Sequence, residues 1–185
     1  MTAASHAPIA LNCHPSSACK AVRALHVTAR VFEGRLLLTY ALDAKLAHLR
    51  IPAEAAPKHA HGLWRHTCFE SFLAQKGAGG YCELNFAPSG SWALYRFSAH
   101  REGMRVVGDA HVPEVTVQRR QSALTLTAAV FVSDLVTGCA PLRLRIGLAA
   151  VIEDDNGRLS YWAARHPRGK PDFHHPDNFT LELDV

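Results

Sequence analysis

The stretch Tyr81-Cys82-Glu83-Leu84-Asn85-Phe86-Ala87-Pro88-Ser89-Gly90-Ser91-Trp92-Ala93-Leu94-Tyr95-Arg96-Phe97 decides how this chain is read. Side chains alternate across a strand, so Tyr81, Glu83 and Asn85 share one face and Cys82, Leu84 and Phe86 the other. Ala87-Pro88-Ser89-Gly90 has the form of a type I turn, with Pro second and Gly fourth. A hairpin about that turn is expected to pair Asn85 with Trp92, Glu83 with Leu94 and Tyr81 with Arg96. One face then gathers Tyr81, Glu83, Asn85, Trp92, Leu94 and Arg96, a mixture of polar groups and rings. The other gathers Cys82, Leu84, Phe86, Ala93, Tyr95 and Phe97, which suits a core.

Outward from this hairpin the same pattern recurs. Strands are expected at 24–31, 35–42, 68–74, 81–86, 91–98, 114–120, 123–132, 142–153, 159–164 and 179–183. Alternation is clear in Leu124-Thr125-Leu126-Thr127 and in Leu142-Arg143-Leu144-Arg145-Ile146, as in half-buried strands. Glu33-Gly34 fits a tight hairpin, and Asp154-Asp155-Asn156-Gly157 a turn whose Asn-Gly takes positive φ readily. Gly77-Ala-Gly79-Gly80 joins two strands and precedes no helix, so it reads as a hairpin loop and not a phosphate cradle. Helix is expected only as one short piece opened by Ser133 and one turn near 53–56. Many short strands with little helix predict an all-β fold, an antiparallel β-sandwich of immunoglobulin-like or jelly-roll type with about ten strands. Residues 1–20 lack periodicity and read as a flexible N-terminal arm or a loose first strand, with one domain over 21–185.

The chain has 185 residues, 48% hydrophobic and 19% charged, with a formal charge of +4. Those values fit one ordinary globular domain with a real core. The longest basic cluster, Gln118-Arg119-Arg120, is too short for a nucleic-acid footprint. No apolar run reaches transmembrane length. Five cysteines form no CxxC pair and no secretory signal precedes them, so reduced thiols and a cytoplasmic setting are expected. A contact between Cys68 and Cys82 stays open.

Two regions could carry chemistry. In the strand before the hairpin, Glu70 shares a face with Cys68 and Phe72 and is expected to be partly buried. A buried carboxylate must be paired or shift its pKa, and Arg96, Arg65 and Arg101 are candidate partners. The second region is 160–179, where an apolar strand bearing Tyr161 and Trp162 runs into a Pro-stiffened loop with His166, Lys170, Asp172, His174 and His175. Such loops on a rigid scaffold are where binding usually sits. A face mixing Glu, Asn, Arg and rings suits a polyol or sugar. The plainer alternatives are a cross-strand ion pair and a solvated connecting loop. The histidines, including His59, His61 and His66, match no zinc spacing, and no GxSxG motif is present. A hydrolytic pairing of Glu70 or Glu83 with His66, His166 or His174 is the enzymatic alternative.

At these residues the chain resembles the bacterial DOMON-like proteins, related to DOMON domains and to family nine carbohydrate-binding modules. The resemblance rests on Trp64-Arg-His-Thr-Cys-Phe-Glu-Ser-Phe72, on Tyr81 to Trp92, on Tyr95-Arg-Phe97 with Arg101-Glu-Gly-Met104, and on Val151-Ile-Glu with Ser160-Tyr-Trp-Ala and His166-Pro-Arg-Gly-Lys-Pro-Asp-Phe-His174. It spans about residues 25–184. It implies a β-sandwich that binds a sugar or haem on one sheet face. By position it implies Trp64 and Trp162 as ring platforms, with Glu70, Glu83 and Asn85 as polar partners. Haem-binding relatives use a Met axial ligand with His or Lys, and Met104 is the methionine available here. The combined expectation is a non-catalytic domain for a carbohydrate or related polar metabolite, without nucleic-acid or membrane partner and without a resident cofactor, haem or metal being the alternative. Its candidate ligand-binding residues are Trp64, Glu70, Glu83, Asn85, Trp92, Arg96, Trp162, His166, Lys170, Asp172 and His174.

Overall fold

Alternating apolar residues make the strands and two faces of them make the core. A computed structural model describes residues 7–108, 112–136 and 143–185. Among these, thirteen strands are present: β1 (Ile9–Ala10), β2 (Asn12–Cys13), β3 (Val22–Phe32), β4 (Arg35–Ala44), β5 (Cys68–Gln75), β6 (Tyr81–Phe86), β7 (Trp92–Phe97), β8 (Arg105–Val106), β9 (Glu114–Arg119), β10 (Ala123–Phe131), β11 (Arg143–Glu153), β12 (Leu159–Ala163) and β13 (Phe179–Asp184). One sheet runs β1-β3-β4-β10-β9. The larger runs β2-β12-β11-β5-β6-β7-β8, with β13 also pairing β11. All pairings between named strands are antiparallel, as expected of a sandwich. The N-terminal strands link the two sheets, β1 on β3 and β2 on β12. Residues 1–6 of the expected arm, Cys139 and the expected strand start at Leu142 lie outside the described residues.

The inner row of the smaller sheet is Leu25, Val27, Leu36, Leu38, Tyr40, Leu42, Leu124 and Leu126, all buried. It packs on Phe69, Leu84, Phe86, Leu94, Ile146, Leu148 and Ile152 of the larger sheet in one core. Tyr40 is the polar member. Its hydroxyl donates to the Glu70 carbonyl at 2.8 Å and lies 2.6 Å from Ser71 Oγ. A buried Tyr needs such a partner, and here the bonds tie one sheet to the backbone of β5. Tyr40→Phe is expected to lower stability by about 1–3 kcal/mol, because Ser71 and the Glu70 carbonyl lose a partner away from water. Urea unfolding of both proteins measures it.

Two expected helical pieces are corrected. The Ser133 region makes a single 3-10 turn over Val132–Asp134, and 53–56 is not helical; the nearby 3-10 turn is Leu46–His48. Residues 53–60 are instead held extended by the hairpin. Ala55 N–H donates to Ser89 O, Trp92 N–H to Lys58 O and Ala60 N–H to Trp92 O, at 2.9, 3.0 and 2.9 Å. Backbone pairing with a neighbour overrides alanine's helix propensity.

The β6–β7 register is also corrected. Phe86 pairs with Trp92, Asn85 with Ala93, Glu83 with Tyr95 and Tyr81 with Phe97. The loop closes through Ala87 N–H to Ser91 O and Gly90 N–H to Ala87 O, both 2.9 Å, one residue tighter than the simple turn suggests. A slip of one residue moves every side chain of the strand to the other face. Trp92 and Leu94 thereby enter the inter-sheet core, and Tyr95 and Phe97 turn outward.

Candidate functional site

The outer face of the larger sheet is not open to solvent, because the chain after β12 folds back across it. Phe173 and Phe179 pack on Phe72, each with ring centroids 6.4 Å away, forming a second small core with Ala149, Val151 and Ala163. Fully buried Asn178 ties the loop closed by donating to Phe173 O at 2.9 Å. Gly147 makes room for it: a Cβ there would lie 2.8 Å from Asn178 Nδ2. At Ile146/Gly147 the β11–β13 register shifts, and beyond it β12 takes over as partner. The glycine is thus needed for close approach.

Between this loop and β7 lies a cavity of about 560 Å3 lined by Trp64, Glu70, Glu83, Phe97, Tyr161 and His174 among others. Its floor is two carboxyls. Glu70 pairs across the strands with Asn85, and Glu83 with Phe72, so the two glutamates are diagonal neighbours on one face. Glu70 is 3% and Glu83 5% exposed. Asn85 Nδ2 donates to Glu83 Oε1 at 2.7 Å, while Cys68 Sγ donates to Asn85 Oδ1 at 3.5 Å. Glu70 Oε1 finds no donor among the described residues. Burial pushes the Glu70 carboxyl well above the usual carboxylate range, the negative charge of Glu83 adds to this, and Arg101 opposes it. Burial raises Glu83 too, against the Asn85 hydrogen bond and Arg101.

One wall is a relay. The Arg101 amide donates to Tyr81 Oη at 3.0 Å, and Tyr81 Oη is hydrogen-bonded to His174 Nδ1, 2.7 Å away. The other ring nitrogen, Nε2, faces Glu83 Oε2 at 3.7 Å. Burial, and then the charge of Arg101, push the His174 pKa down to about 4. At neutral pH the imidazole is therefore uncharged, and this contact is not an ion pair. Arg101 sits at φ +60 in the turn after β7 and reaches Asp172 with Nε and Nη2 at 3.2 and 2.7 Å. His100 Nε2 meets the other Asp172 oxygen at 3.0 Å. Burial opposes ionisation of Asp172, but Arg101 outweighs it and holds the carboxyl low. The facing wall is Trp64, in a 3-10 turn (Leu63–Arg65) and edge-on to Tyr95 at 5.6 Å.

The structure brings Trp64, Glu70, Glu83 and His174 to this cavity, with Asn85 beneath them. His166, Lys170 and Asp172 line an adjoining, more open cleft of about 860 Å3, divided from the first by Arg101 and Pro171. His166 is anchored, its Nε2 2.8 Å from Asn12 O and its ring edge-on to His14. Three expected residues are elsewhere. Trp92 is in the core beside His59. Arg96 donates to Asp134 O at 2.6 Å and cannot partner Glu70. Trp162 is 7% exposed between the sheets, because alternation along β12 turns Tyr161, not Trp162, outward. Cys68 and Cys82 are free thiols on opposite faces of the sheet. His66 serves elsewhere, with Arg50 on buried Glu153 at 2.7 and 3.0 Å. Phe97, Tyr161 and Phe173 are wall residues outside the expected ligand-binding set, and Arg101 was expected only as a partner of Glu70. Correct hairpin register would have found Phe97, and alternation within Leu159–Ala163 would have found Tyr161.

Among the described residues no group of three or more His, Cys, Asp or Glu could hold a metal ion. Met104 and His174 both line the cavity, but His174 Nδ1 is held by Tyr81 and its Nε2 faces Glu83 over a floor of two carboxyls. That floor does not fit the apolar face of a haem. No helix among the described residues is long and apolar enough to cross a membrane.

Fold and cavity together define an antiparallel β-sandwich with an acid-floored, ring-walled site on one sheet. Among solved structures, the chain is similar to that of a "putative carbohydrate-binding protein" from Bacteroides uniformis ATCC 8492, with TM-score 0.58 and 16% identity over 88% of this chain and 79% of that one. At that identity the likeness concerns the fold. No protein family model matches the chain, and no curated protein matches its sequence.

Proposed function

We propose that this protein is a non-catalytic binding domain whose cavity takes a carbohydrate or related polar metabolite. The observation that carries the reading is the cavity itself: two buried carboxyls and the His174 imidazole below rings that C–H faces can stack on. The similar fold of a protein named for carbohydrate binding supports it. The kinship with DOMON-like proteins and a reducing cytoplasmic setting belong to the same proposal.

Isothermal titration with a panel of mono- and disaccharides tests it. At least one sugar should bind, and Trp64→Ala should weaken it about tenfold or more while the melting temperature stays within a few degrees, since Trp64 is 36% exposed. No binding by any sugar would sink the reading. A second reading, a hydrolase, is favoured by one observation: Glu83 and His174 approach to 3.7 Å in a cleft beside a second raised carboxyl. Release of reducing ends from the same panel, lost in Glu83→Gln, would establish it in place of simple binding.

A further inference from the structure

We infer that the cavity's occupant carries a protonated amine, so that the ligand class is a basic sugar such as a hexosamine and not a neutral polyol. This rests on the carbohydrate reading above and narrows it. Two glutamates from adjacent strands are buried as diagonal neighbours, and among the described residues one of them, Glu70, keeps an oxygen without a donor. The charge of Arg101 offsets part of this, but among the described residues neither Arg101 nor Arg65 donates a hydrogen bond to either glutamate. Arg101 faces the site, but its guanidinium is taken by Asp172, which His100 also holds. Arg65 stands in the lining, and His174 stays neutral. Cys68, Tyr81, Tyr95 and Tyr161 on this face bring no positive charge, and His61 lies behind Tyr95, its Nδ1 3.3 Å from the Tyr95 hydroxyl. Meanwhile Trp64, Phe97, Tyr161 and Phe173 line the walls, and aromatic faces attract a cation.

An ammonium above the floor would give Glu70 its missing donor and cancel the repulsion between the two carboxylates. Without it, the pair keeps a proton at a pH where ordinary carboxyls have lost theirs. Arrival of the amine expels that proton, so binding releases protons and weakens as pH falls.

Calorimetric titration of the full chain, in two buffers of different ionisation heat, reads both effects. The probes are glucosamine, galactosamine and mannosamine, each beside its N-acetyl and its neutral hexose counterpart. One amine is expected to bind at least about tenfold tighter than both counterparts, with net proton release. Glu83→Gln and Glu70→Gln should each erase the preference of the amine over its neutral counterpart, and with it the net proton release. A neutral or acetylated sugar that binds as tightly as its amine overturns the inference and leaves the carbohydrate reading. Binding of benzylamine with proton release, while no sugar binds, upholds the amine and removes the sugar. No binding by any probe removes both.

Discussion

Trp162→Ala is expected to destabilise the protein by about 3–5 kcal/mol, the range for deleting a large buried ring. Trp162 lies between the sheets in the main core, with its strand paired on both sides, to Cys13 of β2 and Ala150 of β11. Its indole Nε1–H donates to Ser160 Oγ at 2.9 Å, and that hydroxyl donates on to Ile152 O. Alanine leaves a void that two hydrogen-bonded sheets cannot close, and frees Ser160 of its donor. Urea unfolding should show the loss in midpoint with an unchanged slope, and the melting temperature should fall by about 10 °C. The contrast with Trp64→Ala separates core from platform: one variant loses stability, the other ligand. A Trp162→Ala protein within about 1 kcal/mol of the parent would show that the ring is not packed between the sheets.

The second large effect is a loss of stability in acid that belongs to His174. Its folded pKa is about 4 against an ordinary 6.5. Below pH 6.5 the unfolded chain takes up a proton that the folded chain refuses, so each step down favours unfolding until about pH 4. The loss is absent above neutrality and reaches about 3 kcal/mol at the bottom of that window. The buried glutamates act in the opposite sense. Their folded pKa values lie above the ordinary 4.5, so their contribution is present below that pH and is lost as pH rises through the folded values. His174→Gln therefore isolates the histidine: the difference between parent and variant should grow in the variant's favour from pH 7 to pH 4. An imidazole NMR titration with a midpoint near 6.5 would show instead that His174 is open to solvent and that the relay from Tyr81 does not hold it.

Much of the fold can be read from period alone. Alternation along 24–31, 35–42 and 123–132 places the same side chains inward that the sandwich buries, because a strand with one wet face has no other consistent arrangement. The two-residue strands β1, β2 and β8 leave no period to read. Glu83 and Asn85 share a face by alternation whatever the exact turn; Glu70 was joined to them by the resemblance, and the β5–β6 register sets it opposite Asn85. Trp92 and Arg96 were misplaced by one step of register. Trp162 was placed by resemblance against the alternation of its own strand.

By itself, then, the sequence determined which residues alternate, where the turns fall, and that acidic and aromatic side chains sit on strands able to share a face. Tertiary structure alone decided that this face is a cavity. Phe173 docks on Phe72, Asn178 closes against Gly147, and Arg101 is drawn to Asp172, contacts between residues 101, 31 and 71 positions apart that are set by packing, not by local pattern. Burial under that loop is also what shifts the glutamates and His174. Their protonation depends on how much water the folded neighbours exclude, a quantity that no local run of residues contains.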